Sequence, residues 1–585
     1  MHCPKCRTVL AQRRCDPGIV VDTCTACGGA WFDEGEAAYF TSRPDALRAS
    51  LQQGQAEARS TGDDCPRCGG DLEATPLGAG RYVDRCARCC GLWFDASQMG
   101  EDTVLLPAAR EGATPPPEPP APAPVPAPGS ETSAPLPTPT VPRGLFGSAL
   151  DFARDPVRTI LEAAALGDVV RLRMAHSTMF LVNSPEGVKH VLQDNAHNYS
   201  RERNQASRML RPLIGVGVLT SDGPVWRARR KAAQRAFGND RLAAMDADMK
   251  DEALTLIGNM RRAPTGKPVD IYGIALRVAI ATTLRSMFGY RSTEGERQAL
   301  FHAIIDGQHA AWSNLVLPFA PPRWLPSPLG VLQGRRVVGA VDRIAQRIVE
   351  ERRARADRPR DYLDGILDTC ATDRDVRDEV VTMMTAAPEN MAYTFSTALW
   401  LLAEHPAAEA SMREEIERVL GRRQPVAADL EKMPFTAAVL KETLRLHPGA
   451  YIFDRWVVHD DRICGHAIPA GSFVLLSPWA MHRRADLWPD PERFDPSRFT
   501  TAAPDRPRYA YFPFGGGPHR CLGEHFALMH LQLLLPLALQ QAHFQRVAGR
   551  PVVHQAKITV RPTGGVWMQL SPVAEHRAAS AAPSP

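Results

Sequence analysis

No part of the 585-residue sequence is expected to span a membrane. No secretory leader is legible ahead of its opening MHCPKC. A reduced, cytoplasmic setting is therefore expected, one in which disulfides are rare. The chain also lacks a glycine-rich nucleotide fingerprint of the kind that cradles flavin or nicotinamide. Electrons for any redox chemistry must then come from a separate protein, unless the N-terminus supplies them. The first hundred residues lack the positive excess that nonspecific nucleic-acid binding needs: 11 Lys plus Arg stand against 13 Asp plus Glu, a balance of −2. Residues 105–142 are nearly devoid of large apolar side chains. PAAREGATPPPEPPAPAPVPAPGSETSAPLPTPTVPRG cannot build a core, and is expected to be a solvated linker of about 35 residues reaching roughly 100 Å. The last residues, 574–585, are expected to fray.

What the N-terminal hundred residues do contain is one cysteine pattern written twice. Cys3 and Cys6 in CPKC are followed by Cys24 and Cys27 in CTAC, and Cys65, Cys68, Cys86 and Cys89 repeat the arrangement. In each copy 17 residues separate the two pairs, and each copy ends in Trp-Phe-Asp. The segment is an internal duplication. Four thiolates at this spacing suit a tetrahedral metal, most often zinc. Disulfides and thioredoxin-like redox pairs are the alternatives, disfavoured by the reducing compartment. A rubredoxin-like iron site is another, although such sites have a much longer gap between pairs. The pattern resembles a tandem of zinc ribbons of the transcription-factor-IIB type. That resemblance implies two small β-type ribbons, over 1–42 and 62–104, each with one structural zinc. Trp31, Phe32, Trp93 and Phe94 are expected to fill their small cores, and the ribbons to bind protein rather than nucleic acid. Cys15, Cys90, Cys370 and Cys464 are expected to be ordinary thiols.

The most informative segment lies near the C-terminus. FGGGPHRCLGEHFALMHLQLLL sets Cys521 on a glycine-rich loop ahead of a long helix with apolar periodicity. Glycines let the backbone close around the sulfur. Backbone N–H groups and the positive end of the helix then stabilise a thiolate, as an axial ligand to haem iron requires. A lone cysteine beside glycines is more often a buried structural thiol, so the neighbours decide. Phe514, Gly517, His519, Cys521 and Gly523 resemble the haem-ligand signature of the cytochrome P-450 family, with His519 where arginine is commoner. KETLRLHP adds Glu442 and Arg445 on one face of a predicted helix. WPDPERFDPSRF supplies Arg493 as the downstream arginine that the family locks to this pair. Trp226 and Arg230, in GPVWRARRKAAQRAF, and Arg455, in FDRWVVHDDR, match the partners of the haem propionates, carboxylates costly to bury unpaired.

The resemblance implies a haem domain over 143–573, mainly α-helical with a small β-sheet. DVVRLRM and TMFLVNS alternate like strands, SPEGVKHVLQD opens like a helix, and Pro536 is expected to kink or end the last helix. In VRDEVVTMMTAAPENMAYTFSTALWLLAEHP, the segment aligned with the oxygen-binding helix, Glu389 keeps the family's acid while Asn390 replaces its threonine. An amide still donates a hydrogen bond, and Pro388 should distort the helix. A core acid with a local partner is the plainer reading of Glu389. Ile452, Phe453, Val566 and Trp567 point to an apolar pocket. The basic run Arg227, Arg229, Arg230, Lys231 and Arg235 is by itself a solvated face, but the resemblance puts it where an acidic ferredoxin or flavodoxin docks.

The expected activity is that of a haem b monooxygenase of secondary metabolism. It uses dioxygen to hydroxylate or epoxidise an apolar small molecule, fed by a ferredoxin and its reductase or by a flavodoxin. Two alternatives stand beside it. Pro388 and Asn390 motivate a peroxide-driven or rearranging haem-thiolate enzyme, and the ribbons motivate a scaffold or regulatory protein with a secondary haem domain.

Overall fold

The computed structural model describes residues 2–15, 19–32, 58–66, 71–78, 81–86 and 91–98, isolated positions between 37 and 54, and residues 138–573 apart from 142–146, 175–176, 202, 262–266, 317–327, 356–360 and 501–505. Cys68, Cys89, Cys90, the linker up to residue 137 and the tail 574–585 lie outside the described residues. The chain divides into two compact units, Met1–Thr132 and Ser133–Pro585.

The N-terminal unit is built on seven strands: β1 (Ala11–Cys15), β2 (Ile19–Thr23), β3 (Ala30–Phe32), β4 (Arg59–Asp64), β5 (Asp71–Gly78), β6 (Arg81–Cys86) and β7 (Leu92–Phe94). They form one sheet in the order β1-β2-β3-β7-β6-β5-β4. Its centre is the antiparallel pairing of β3 with β7, where Trp31 lies opposite Trp93, Ala30 opposite Phe94 and Phe32 opposite Leu92. The expectation of two separate cores is thereby corrected. Val21, Ala30 and Phe32 of the first copy pack with Val83, Leu92 and Phe94 of the second, and the Phe32 and Phe94 rings meet edge to face at 5.6 Å. A ribbon of about 40 residues buries too little surface to stand alone. Joining the two inner strands enlarges the core and removes two open sheet edges. Strand β4 begins at Arg59, ahead of the boundary at 62.

The second unit is mainly helical. Its described helices include α1 (Gly223–Ala236), α2 (Ile271–Phe288), α3 (Asp373–Ala386), α4 (Pro388–Glu404), α5 (Pro434–Leu446) and α6 (Glu524–Gln541). Helix α2 is long and apolar enough to cross a membrane by length and composition, but 83% of it is buried inside the unit, so it serves as a core helix here. It ends at Gly289, whose φ of +56° makes the left-handed cap that glycine adopts without strain. The alternating segments become the strands Val169–Met174 and Ser177–Val182, in a five-stranded sheet with Tyr199–Ser200, Phe453–Val457 and Phe473–Leu476. Ser184 caps the helix that follows, accepting from the Gly187 N–H at 3.0 Å.

One boundary expectation fails for a physical reason. The linker reading extends to 142, yet Thr140 bridges to Arg171 and Val141 is buried in the main core; backbone pairing recruits a segment whose prolines disguise it. Of the two alternatives for Pro536, ending the last helix is ruled out, because α6 runs through it to Gln541. Leu533, Leu534, Leu535 and Leu537 around that proline are all buried, and packing of that extent outweighs one missing backbone bond.

Candidate haem site and metal centre

The cysteine loop is shaped by close approach. A Cβ on Gly517, at φ +62°, would meet the Leu192 carbonyl oxygen at 1.6 Å, and one on Gly516 would meet the Tyr509 ring at 2.2 Å. The Cys521 N–H donates to the Phe514 carbonyl at 2.9 Å, which folds the loop back on itself just ahead of α6. The sulfur is accessible although deeply placed. Burial pushes the thiol up, while the Gly523 backbone and the charges of Arg230 and Arg520 draw it down.

A cluster of buried cations surrounds this loop. Arg201 donates to His519 Nδ1 at 3.0 Å and to the Leu219 carbonyl at 2.8 Å. His519 packs against Trp226 with the rings tilted by 47° and their centroids 4.0 Å apart. Burial holds His519 down at about 4, with Arg201 and Arg455 adding to the effect, so its ring is neutral. Arg201, which the sequence reading missed, carries the positive charge beside it. Burial, with repulsion from Arg455 and Arg230, lowers Arg201 to about 9. Burial likewise lowers Arg230 and Arg455. Asp222 and Asp454 are the acids that act on these groups. Arg230 Nε is buried without a hydrogen-bond partner among the described residues. Three crowded guanidiniums with donors to spare fit the two carboxylates of haem b.

Behind the loop, Arg445 donates from Nε and Nη2 to the two oxygens of Glu442 at 2.7 and 2.8 Å, both side chains fully buried. The downstream arginine is Arg498, not Arg493. Arg498 Nε lies 3.4 Å from Glu442 Oε1, whereas the Arg493 side chain is exposed and only its carbonyl accepts from Arg445, at 3.1 Å. The two Pro-x-Arg-Phe tetrapeptides lie five residues apart, and the second turns its arginine inward.

On the distal side, α3 stops at Ala386 and α4 restarts at Pro388, the break expected of that proline. Asn390 Nδ2 donates to the Ala386 carbonyl at 3.4 Å, a side-chain bond across the break. Its Oδ1 is buried without a partner among the described residues and lies close to Gly449. Glu389 is buried and bound locally: Thr559 donates to it at 2.9 Å and Tyr272 at 3.5 Å, with Gln308 as a third donor. Burial raises its carboxyl from 4.5 to about 7. The four expected pocket residues have different immediate neighbours. Phe453 packs near Gly515 and Phe512, Val566 is fully buried, Arg550 caps the Trp567 ring at 4.8 Å, and Ile452 lies against the main core.

The basic run narrows as well. Arg229 turns inward to Asp375 and Glu379, at 2.5 and 3.4 Å, and Arg230 faces the cysteine. Arg227 and Lys231 are exposed, as is Arg520 on the loop. The side chain of Arg235 lies outside the described residues.

In the first unit the sulfurs of Cys3, Cys6, Cys24 and Cys27 all lie within 4.8 Å of one another, with Cys3 to Cys27 at 3.5 Å and Cys6 to Cys24 at 3.4 Å. Tetrahedral zinc with bonds of about 2.3 Å would set sulfurs roughly 3.8 Å apart, so this set fits the ion. The Cys6 N–H points to Cys3 Sγ at 3.4 Å, steadying a thiolate. Of the second set, Cys65 and Cys86 are buried in the same cluster as Cys3 and Cys24.

A cytochrome P-450 family model matches residues 136–566, and a transcription factor zinc-finger model matches residues 2–39 and 64–100. Cyclooctatin synthase of Streptomyces melanosporofaciens is 31% identical over 405 residues, 67% of this chain and 86% of the relative. The cyclooctat-9-en-7-ol 5-monooxygenase of the same organism is 30% identical, covering 69% of this chain and 88% of the relative. Pentalenene oxygenase of Streptomyces avermitilis is 28% identical over 71% of this chain and 95% of the relative. With the cysteine loop, the buried Glu-Arg pair and the cation cluster in one unit, the chain belongs to the cytochrome P-450 family, as a monooxygenase that carries an N-terminal zinc-ribbon tandem.

Proposed function

We propose that this protein inserts one oxygen atom of dioxygen into an apolar, terpenoid-class small molecule, taking electrons from a separate ferredoxin or flavodoxin. The observation that carries the haem chemistry is the accessible Cys521 sulfur beside buried arginines that have no full complement of acids. The substrate class rests on relatives named for cyclooctatin and pentalenene.

Haem b held here would supply the activation of dioxygen. Cys521 would supply the thiolate ligand. Arg201, Arg230 and Arg455 would hold the propionates, and His519 and Trp226 would add a neutral ring surface beside them. Glu389 has a carboxyl near half-protonation at neutral pH, so it can take or give a proton at its oxygens. Asn390 bridges the break at Ala386 and presents an amide where most of the family has an alcohol. Arg227, Lys231 and Arg520 give an acidic electron donor a basic landing face. Each ribbon set would hold one structural zinc.

Titration of the purified protein with cyclic sesquiterpene and diterpene hydrocarbons tests the substrate class. A blue shift of the haem band, followed by ferredoxin-dependent formation of a monohydroxylated product, is the expected result. A shift with fatty acids but none with terpenoids would overturn the class. Full turnover with peroxide alone, and none with a ferredoxin, would overturn the electron route.

A further inference from the structure

The two cysteine copies meet through residues that flank their metal ligands. Gly29 follows Cys27 by two residues, and a Cβ there would lie 2.3 Å from Trp93 Cζ2. Gly91 follows Cys89 by two residues, and a Cβ there would lie 2.1 Å from Trp31 Cζ2. The glycine after each copy's second cysteine pair therefore seats the tryptophan of the other copy, and both tryptophans are fully buried. The same glycines hold the ligands of their own copy: the Cys24 N–H donates to the Gly29 carbonyl at 2.8 Å, and the Cys86 N–H to the Gly91 carbonyl at 3.0 Å. A further tie crosses between copies. Lys5, between Cys3 and Cys6, pairs with Asp84 at 2.7 Å and with Asp63 at 2.9 Å. Asp84 is buried and stands two residues before Cys86.

We infer that the two metal centres form one thermodynamic unit, in which filling either site raises the affinity of the other through the exchanged tryptophan-glycine contacts. Metal binding orders the knuckle that carries it. An ordered knuckle is also the seat for the foreign tryptophan, and that tryptophan sits on the strand that leads out of the partner knuckle. Free energy released at one site therefore contributes to organising the other. Linkage makes the effect reciprocal, with a typical size of about 5- to 150-fold in affinity. Both sites share one buried cluster of Cys3, Cys24, Cys65, Cys86, Trp31 and Trp93, so neither can be rearranged without disturbing the other. The inference is independent of the substrate and electron donor proposed above. It does rest on each copy holding one metal.

The test uses the full-length chain. Zinc content and the rate of zinc release to a colorimetric chelator are measured for the unaltered protein, Cys86→Ser, Cys24→Ser and Gly91→Ala, with the haem-domain spectrum as a check on the rest of the chain. The unaltered protein should hold two zincs and release them in a single phase. Cys86→Ser leaves Cys3, Cys6, Cys24 and Cys27 in place, yet their zinc should be absent or leave about 5- to 150-fold faster. Cys24→Ser should do the same to the second site. Gly91→Ala keeps all eight ligands and should loosen both sites together. One zinc per chain in each cysteine variant, released at the unaltered rate, would overturn the inference. So would fewer than two zincs in the unaltered protein.

Discussion

The two sides of the haem site are built in opposite ways. The cysteine side is locked: glycines admit no side chain, a fully buried Glu442–Arg445 pair braces the loop, and three arginines crowd one another beside it. The oxygen side is opened by Pro388, patched by one long hydrogen bond from Asn390, and carries an acid poised near neutrality. The electrostatics of a ligand must hold still, whereas protons must move. Changes on the first side should therefore unfold the domain, and changes on the second should alter its chemistry and pH response.

The sharpest way to break this contrast is Glu442→Ala. It leaves Arg445 charged and buried without its partner, and should cost about 3–5 kcal/mol, read as a collapse of the haem domain's melting temperature. A loss below about 1 kcal/mol would mean the cysteine side is not locked.

Glu389→Gln comes next, and its sign is fixed by the direction of the shift. The folded carboxyl titrates near 7 and the free one near 4.5, so between those values the folded state binds more protons. Glu389 therefore lowers stability progressively as pH rises through that window, by up to about 3 kcal/mol. The glutamine variant should lose this slope. Relative to the unaltered protein it should gain stability towards pH 7 and show little gain at pH 4.5, as thermal melts across the window would reveal. A parallel slope in both proteins would contradict the burial argument.

A finer contrast separates the two downstream arginines. Arg498→Ala removes a buried partner of Glu442 and should cost roughly 1–3 kcal/mol. Arg493→Ala removes an exposed side chain and should stay within about 0.5 kcal/mol; equal losses in denaturant titrations would return the lock to Arg493. A modest stability effect is expected of Asn390→Thr, about 1 kcal/mol for the lost bond to Ala386. Its larger consequence should be chemical, a changed share of electrons diverted to hydrogen peroxide. Unchanged coupling would deny the amide a special part in proton handling.

The same contrast explains what could be read from the sequence. Cys521, its glycines, Glu442 with Arg445, and the break at Pro388 are local patterns, visible within a few residues. Arg201 reaches His519 across 318 positions, and nothing in SRERN marks it as a partner. Arg498 was hidden by the near-identical tetrapeptide ahead of it, because the choice between the two is made by the turn at Asp495 rather than by composition. The duplicated cysteines were plain, but the fusion of the two ribbons depends on strands β3 and β7, which are three residues each and too short to announce a pairing. Ile452, Phe453, Val566 and Trp567 are apolar, but which side chains share a cavity is decided by long-range packing that no local pattern announces.

The most direct test of the central claim is the carbon monoxide spectrum of the dithionite-reduced, full-length protein, taken beside Cys521→Ser. Thiolate ligation predicts a band near 450 nm in the first and its loss in the second. A band near 420 nm in well-folded unaltered protein, or one near 450 nm that survives in Cys521→Ser, would contradict the assignment of Cys521 as the iron's ligand.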